Sequence, residues 1–247
     1  MSASNQSGNA DVSGLPRQLD PEFDAFAENY DEALQRGLRV SGEGKEFFAD
    51  GRVGWLRRRL GELAHPAGSI MDFGCGTGTS SGRLLSLPGA TSLIGTEVSA
   101  RSLVVARREH PDIRARFALL TEYQPCGELD LAFCNGVFHH IPPSERPGAL
   151  SYVLRSLRAG GLFALFENNP WNPGTRWIMN RIPFDRDAIT LAPPETRRRL
   201  IGAGFEIVCT DFLFFFPRFL RCFRAAEPAL CGLPFGAQYL VLARKPG

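Results

Sequence analysis

The segment Ser69-Ile70-Met71-Asp72-Phe73-Gly74-Cys75-Gly76-Thr77-Gly78 constrains this chain more than any other. Its short apolar run predicts a buried strand, and the alternating glycines that follow predict a tight turn where a ligand approaches the backbone. Asp72 stands two residues before the first glycine, where a carboxylate would repel a phosphate and attract an ammonium or sulfonium group. The segment therefore favours a sulfonium cofactor over a dinucleotide.

The glycine spacing also departs from the dinucleotide fingerprint G-x-G-x-x-G. Gly78 comes one residue early, and Thr79 occupies the position of the fingerprint glycine. Glu97 follows twenty-three residues after Gly74, at the end of the next predicted strand. Its carboxylate can accept hydrogen bonds from the vicinal ribose hydroxyls of either nucleoside cofactor. A nicotinamide oxidoreductase is thus an alternative, which Asp72 and Thr79 disfavour.

Composition narrows the class of protein. The chain has 247 residues, 44% of them hydrophobic, which is enough for one domain with a sizeable core. A formal net charge of +2 does not demand a nucleic acid or an acidic lipid as partner. The six cysteines form no C-x-x-C pair, which favours reduced thiols over a disulfide framework or a zinc site. The cysteine spacing therefore predicts that the protein holds no metal. Because the chain has neither a signal-peptide pattern nor a membrane-spanning apolar run, we expect a cytoplasmic protein.

Apolar periodicity divides the chain into three parts. Residues 1–19 are polar and predicted to be disordered, and residues 20–66 are predicted to form an N-terminal helical cap. Between residues 67 and 247 strands and helices alternate, which predicts an α/β fold with a doubly wound, mostly parallel sheet and helices on both faces. After the first of seven strands, the others are expected at 92–95, 116–120, 129–134, 162–166, 205–214 and 239–243. Ser99 is a predicted N-cap, and a helix from Ser144 is expected to stop at Gly160-Gly161.

Four segments in chain order resemble the motifs of class I S-adenosylmethionine-dependent methyltransferases. They span residues 72–78, 93–99, 130–140 and 157–163, and the resemblance covers roughly residues 70–170. It implies a Rossmann-like methyltransferase fold over residues 67–247, an N-terminal helical lid and S-adenosyl-L-methionine as the cofactor. The cofactor contacts that we expect are Asp72, Phe73, Gly74, Cys75, Gly76, Gly78, Glu97, Val98, Asn135 and Gly136.

One position departs from the family pattern. The family usually has an acidic residue after the third strand, near the adenine amine, and this chain has none at the commonest position. Thr121 and Glu122 are the candidates to replace it.

Two adjacent histidines follow the fourth predicted strand. An imidazole at the end of a strand has a pKa suited to deprotonating a hydroxyl near neutral pH, so His139 and His140 are candidate general bases, with His139 preferred. The alternative is that both anchor the loop, with one packed under the cofactor, as is frequent in the family.

The acceptor side is less clearly marked. Asn168, Trp171 and Arg176 follow the fifth strand and Tyr30 lies in the cap, so we predict that they form part of the substrate wall. Loop packing explains the tryptophan equally well. The aromatic stretch 212–216, with Phe219 and Phe223, indicates core packing first, and an apolar substrate pocket or a dimer surface second.

The function predicted from the sequence is methyl transfer to a small-molecule acceptor, at oxygen or carbon, by direct displacement. We expect a monomer or homodimer without a nucleic-acid or membrane partner. The Asn169-Pro170 pair follows the fifth strand rather than the fourth and lacks a second proline, which argues against DNA or protein-amide methylation. The alternatives are a methyltransferase fold that catalyses another reaction, such as a cyclisation, and a non-catalytic cofactor-binding accessory protein.

Overall fold

A computed structural model describes residues 41–182 and 188–247. The predicted disordered tail, the first cap helix and Tyr30 lie outside the described residues. Within the described ranges the helices are α1 (Lys45–Glu62), α2 (Ser81–Leu84), α3 (Ala100–Glu109), α4 (Arg146–Ser156), α5 (Pro173–Met179), α6 (Pro193–Gly202) and α7 (Glu227–Leu230), with a 3-10 helix at Arg218–Ala226 before α7. No helix in the described ranges is long and apolar enough to cross a membrane.

Seven strands in the described part form one sheet. They are β1 (Ser69–Phe73), β2 (Ser92–Glu97), β3 (Ala115–Leu119), β4 (Leu129–Asn135), β5 (Leu157–Asn168), β6 (Glu206–Leu213) and β7 (Gln238–Arg244). Their order is β3-β2-β1-β4-β5-β7-β6. Six of these strands run in one direction, and β7 runs in the opposite direction between β5 and β6. The predicted doubly wound, mostly parallel sheet is confirmed. Because the strand order reverses between β1 and β4, a crevice forms where these strands end, which is where such sheets bind ligands.

Alternate residues of each central strand face opposite layers of helices. Ile70 of β1 packs in a cluster with Leu56 and Leu60 of α1, whereas Met71 packs on the opposite face with Leu150 and Val153 of α4. This alternation follows from the two-residue period of a strand, and it explains why strands covered on both faces read as continuous apolar runs.

One predicted boundary is wrong. The helix that was expected to stop at Gly160-Gly161 ends at Ser156, and β5 begins at Leu157. The two glycines lie inside β5, where the register of its pairing with β4 shifts. A Cβ at Gly161 would come within 3.0 Å of the Leu129 carbonyl oxygen, so glycine here permits a close backbone approach rather than ending a helix.

Candidate active site

The glycine turn after β1 is closely packed at both ends and open in the middle. Its three glycines have positive φ angles of 69°, 53° and 83°, which glycine adopts without strain. A Cβ at Gly74 would collide with Val137 and one at Gly78 with His110, whereas a Cβ at Gly76 would meet no atom within 4 Å. The turn therefore leaves room for a ligand against the backbone at Gly76.

The other two residues of the segment face inward. Phe73 is buried, with its ring centroid 6.0 Å from those of Phe138 and Tyr152, so only its backbone borders the turn. Cys75 is also buried, and burial raises the pKa of its thiol well above the usual value, which keeps the sulfur neutral.

Glu97 ends β2, and its carboxylate bonds the backbone of the turn after β1 and of the loop after β2. Its Oε2 accepts a hydrogen bond from the Gly76 amide at 2.9 Å, and its Oε1 accepts from the Val98 and Ser99 amides at 2.8 and 3.1 Å. The Ser99 side chain in turn caps α3 by accepting from the Ser102 amide, as predicted. A carboxylate has about four acceptor sites, so Glu97 keeps capacity for a ribose hydroxyl.

Asp72 lies inside the protein at the end of β1, where Ser81 Oγ donates a hydrogen bond to it at 3.0 Å. Burial raises the pKa of Asp72 to about 7, with a smaller contribution from the negative charge of Glu97, while the Ser81 hydrogen bond and the Arg52 cation oppose the rise. Near neutral pH both protonation states are populated, and a bound cation would favour the ionised one.

Arg52 is the residue of this region that the sequence analysis missed. It is buried in α1, and its Nη1 donates to Gln238 Oε1 at 3.0 Å. The Gln238 Nε2 donates to Asn168 Oδ1 at 3.1 Å, which extends the polar row from the start of β7 to the end of β5. The available signal was an arginine on the buried face of α1 between Ala49 and Leu56. A buried arginine needs a polar or charged partner, and Arg52 finds one in Gln238 at the edge of the crevice.

The end of β4 provides an unpaired acceptor. Asn135 Oδ1 is buried and has no hydrogen-bond partner among the described residues. Gly136 follows with φ +66°, and its amide donates to the Phe166 carbonyl oxygen at 2.9 Å. Because an unsatisfied buried oxygen is costly, Asn135 indicates a donor that the bound ligand would supply.

His139 is fixed by an acid from the neighbouring strand. Its Nδ1 lies 2.6 Å from Glu167 Oε2, and the other carboxylate oxygen accepts from the Phe138 amide at 2.9 Å. His139 and Glu167 are 3% and 1% exposed, and the half-buried His140 ring lies 4.1 Å from that of His139. The His139–Glu167 pair anchors the loop after β4, as one of the two interpretations predicts. It also holds the imidazole in one orientation, which a general base requires.

The two candidates after β3 are both exposed. The Leu120 amide donates to the Glu97 carbonyl oxygen at 2.9 Å, so the loop starts beside the acid of β2. Thr121 and Glu122 follow, and Glu122 Oε2 accepts from the Leu119 amide at 3.0 Å. The described side chains leave this edge of the crevice open to solvent.

The predicted substrate wall is only partly brought together. Asn168 lies at the carboxyl edge beside Gln238, and Arg176 is exposed on α5. Trp171 is half exposed beside α6, in a shallow groove with Arg197, so it does not lie with Asn168. The reason is the turn after β5, where Asn169 accepts from the Trp171 amide and donates to two carbonyls of the 234–236 loop.

The aromatic stretch is divided between core and surface. Phe212 is buried in the core, but Phe219 and Phe223 are 79% and 54% exposed, so core packing is wrong for these two. Among the described residues no group of three His, Cys, Asp or Glu side chains could hold a metal ion.

A reversed strand order, an open glycine turn and an acid at the end of β2 define a nucleoside-cofactor domain of the class I S-adenosylmethionine-dependent methyltransferase type. Residues 70–161 match the family described as "Methyltransferase domain", and the fold of the described residues is the Rossmann-like fold of such methyltransferases.

A curated methyltransferase is similar to this chain in sequence, and solved structures are similar to it in fold. A trans-aconitate 2-methyltransferase from Azoarcus sp. is 29% identical over 137 residues, which is 55% of this chain and 53% of that protein. The chain thus spans about half the length of the curated relatives it matches. An S-adenosylmethionine-dependent methyltransferase from Mesorhizobium loti is similar in fold, with a TM-score of 0.58 and 21% identity over 80% of this chain and all of that one. The [4+2]-cyclase SpnF gives a TM-score of 0.55 and 21% identity over 77% and 80%.

The residues at the crevice fit S-adenosyl-L-methionine, the cofactor of this family. Asp72 suits its positive charge and Glu97 its ribose hydroxyls, while Asn135 Oδ1 still requires a donor. The open side of Gly76 provides the space.

Proposed function

We propose that this protein transfers a methyl group from S-adenosyl-L-methionine to oxygen or carbon of a small-molecule acceptor. The observation that carries the proposal is the convergence of an open Gly76, a prepositioned Glu97 and an unsatisfied Asn135 at the point where strand order reverses. The bound cofactor supplies an electrophilic methyl group on a sulfonium centre. The protein has to align the acceptor with that methyl group and exclude water.

Each cofactor contact follows from the chemistry of one residue. Glu97 accepts from the ribose hydroxyls, and Asp72 in its ionised form balances the positive charge. We assign the methionine carboxylate to Arg52, because it is a buried guanidinium beside Asp72 and Gln238. Thr121 and Glu122 border the adenine, beside Glu97.

His139 is our candidate for the group that removes a proton from a hydroxyl or carbon acceptor, with His140 as the second candidate. Glu167 supports this role because a carboxylate at Nδ1 orients the imidazole and stabilises its protonated form. A carboxylate acceptor would need no base. The small-molecule class is supported by the relatives, which are named for trans-aconitate.

A methyl-transfer screen tests the proposal. The full chain is incubated with S-adenosyl-L-methionine labelled at the methyl group and with panels of phenols, carboxylic acids and sugars. Labelled product from at least one panel is expected, with a pH–rate profile that loses its lower limb in His139→Gln if the acceptor is a hydroxyl. Binding of NADH without binding of S-adenosyl-L-methionine would contradict the proposal. Cofactor binding without transfer across all panels would favour another reaction on the same fold.

A further inference from the structure

An aromatic cavity of about 280 Å³ lies beyond the ends of β5 and β6 and the start of β7. Its walls come from the start of α1, from α5, from residues 214–217 after β6 and from the 3-10 helix. Asn168, Gln238 and Leu213 form one row across β5, β7 and β6, so Phe214 and Ala237, which line the cavity, are the next residues beyond that row. The cavity therefore opens at the same carboxyl edge as the crevice.

The walls are built from rings held in place. Phe48 packs against Phe214 at 4.9 Å between ring centroids, and Phe47 lies 5.3 Å from Phe48. Phe214 has φ +62°, a strained conformation for a bulky residue, and its ring lies where a Cβ at Gly51 of α1 would be. Backbone strain of this kind concentrates at ligand-binding sites.

The Arg224 guanidinium, which lines the cavity, has an unused donor. Thr175 Oγ1 donates to the Ala237 carbonyl oxygen, and Asn172 bonds the Thr175 amide and the Phe235 carbonyl oxygen. Arg224 pairs with Glu43 through Nη1 at 2.9 Å and donates to the Phe216 carbonyl oxygen through Nε, but its Nη2 is buried without a partner in the described part of the chain. The cavity thus offers apolar walls and an unsatisfied donor at Arg224.

We propose that this cavity binds the methyl acceptor, and that the acceptor is a planar aromatic compound of one or two rings with an oxygen that accepts from Arg224. The proposal rests on the proposed methyl transfer. The volume is near the lower end of the range of about 300–1,000 Å³ for ligand pockets, which limits the number of rings. A polycarboxylate fits poorly, because Glu43 already neutralises Arg224 and apolar walls would desolvate further charges.

The test uses 2-naphthol as the probe and trans-aconitate as the competing class. The full chain is titrated calorimetrically with each, in the presence and absence of S-adenosylhomocysteine. Two variants change the cavity: Ile178→Trp fills it, and Phe219→Ala removes a wall residue that is 79% exposed and therefore contributes little to folding. Phe235→Ala is the matched control, since Phe235 is 67% exposed and does not line the cavity.

We expect 2-naphthol to bind the wild type and to bind Phe219→Ala about three- to tenfold more weakly. Ile178→Trp should lose binding, while Phe235→Ala stays within about twofold. Arg224→Met should weaken 2-naphthol by about three- to tenfold and leave naphthalene unaffected.

Two results would overturn the proposal: absence of 2-naphthol binding, or equal binding to the wild type and Ile178→Trp. Binding of trans-aconitate that is lost in Ile178→Trp would reassign the cavity to polyacids. Failure of S-adenosylhomocysteine to bind contradicts the proposed function instead, so the two failures are distinguishable.

Discussion

Asp72 is a buried carboxyl group at the centre of the site, and its protonation couples folding to pH. Its folded pKa of about 7 lies above the ordinary value of 3.8, chiefly because burial disfavours the charged form. Between these values the folded chain keeps a proton that the unfolded chain releases. The free energy of unfolding should therefore fall as the pH rises from about 4 to about 7, and Asp72→Asn should flatten that fall. Urea unfolding at pH 5 and pH 8 gives the free energy of unfolding of the wild type and of Asp72→Asn. An equal change in this free energy between the two pH values in both proteins would show that Asp72 does not cause the fall.

The same group should respond to the cofactor. A bound cation lowers the pKa of Asp72, so S-adenosyl-L-methionine should bind with release of a proton near pH 6.5. Calorimetry in two buffers with different ionisation enthalpies detects this release. Asp72→Asn should bind without it, and an unchanged proton count in this variant would show that another group titrates.

Site residues that lie next to a turn or at a strand end could be predicted from the sequence. Residues whose position depends on partners distant in the chain could not. Glu97 was predicted from its distance along the chain to Gly74, and Asn135 from the resemblance of residues 130–140 to a methyltransferase motif. Arg52 was missed because its partners are 186 residues away at Gln238 and in β1. Trp171 was misplaced because the turn after β5 is set by hydrogen bonds to the 234–236 loop.

At the level of elements, α1 is held to the sheet by a buried acid of β6. Asp211 is 3% exposed and accepts from Trp55 Nε1 at 2.8 Å and from Arg59 Nε and Nη2 at 2.7 and 2.6 Å. Asp211→Ala leaves both donors without this partner and should cost about 2–4 kcal/mol in the free energy of unfolding. Arg58→Ala removes an exposed pair with Glu62 and a guanidinium 5.2 Å from the centre of the Trp55 ring, and it should cost less than about 1 kcal/mol. Similar losses in the two variants would contradict this account of α1.

The start of α3 provides a second comparison between matched serines. Ser99 caps α3 through its side chain, whereas Ser80 precedes α2 without such a bond. Ser99→Ala should destabilise the protein by about 1 kcal/mol, and Ser80→Ala by less than about 0.5 kcal/mol. Thermal unfolding of both variants checks the order, and a larger loss at Ser80 would contradict it.

Elements with strong local signals were predicted well. The Ser99 cap of α3 has a local cause, and it is confirmed. The end of α4 was wrong because Gly160 and Gly161 are compatible with a helix stop and with a strand irregularity. The pairing of Leu157 with Leu129 decides between the two, and it depends on a strand distant in sequence.

For the whole molecule, alternation of strands and helices was sufficient to predict the doubly wound sheet. The antiparallel position of β7 between β5 and β6 required tertiary contacts, because a short apolar strand does not encode its direction. The helical cap over residues 20–40 stays a prediction. The acceptor cavity arises only when α1, α5 and the segment after β6 meet, so single segments of the sequence could not define it.

The most direct test of the central claim is a calorimetric titration of the full chain with S-adenosylhomocysteine. The wild type and Glu206→Gln, which changes an exposed acid at the opposite end of the sheet, should bind one equivalent with equal affinity. Glu97→Gln should bind at least about tenfold more weakly, because it loses charge-assisted hydrogen bonds at the glycine turn and the ribose. Equal affinity in Glu97→Gln, or no binding to the wild type, would contradict the account.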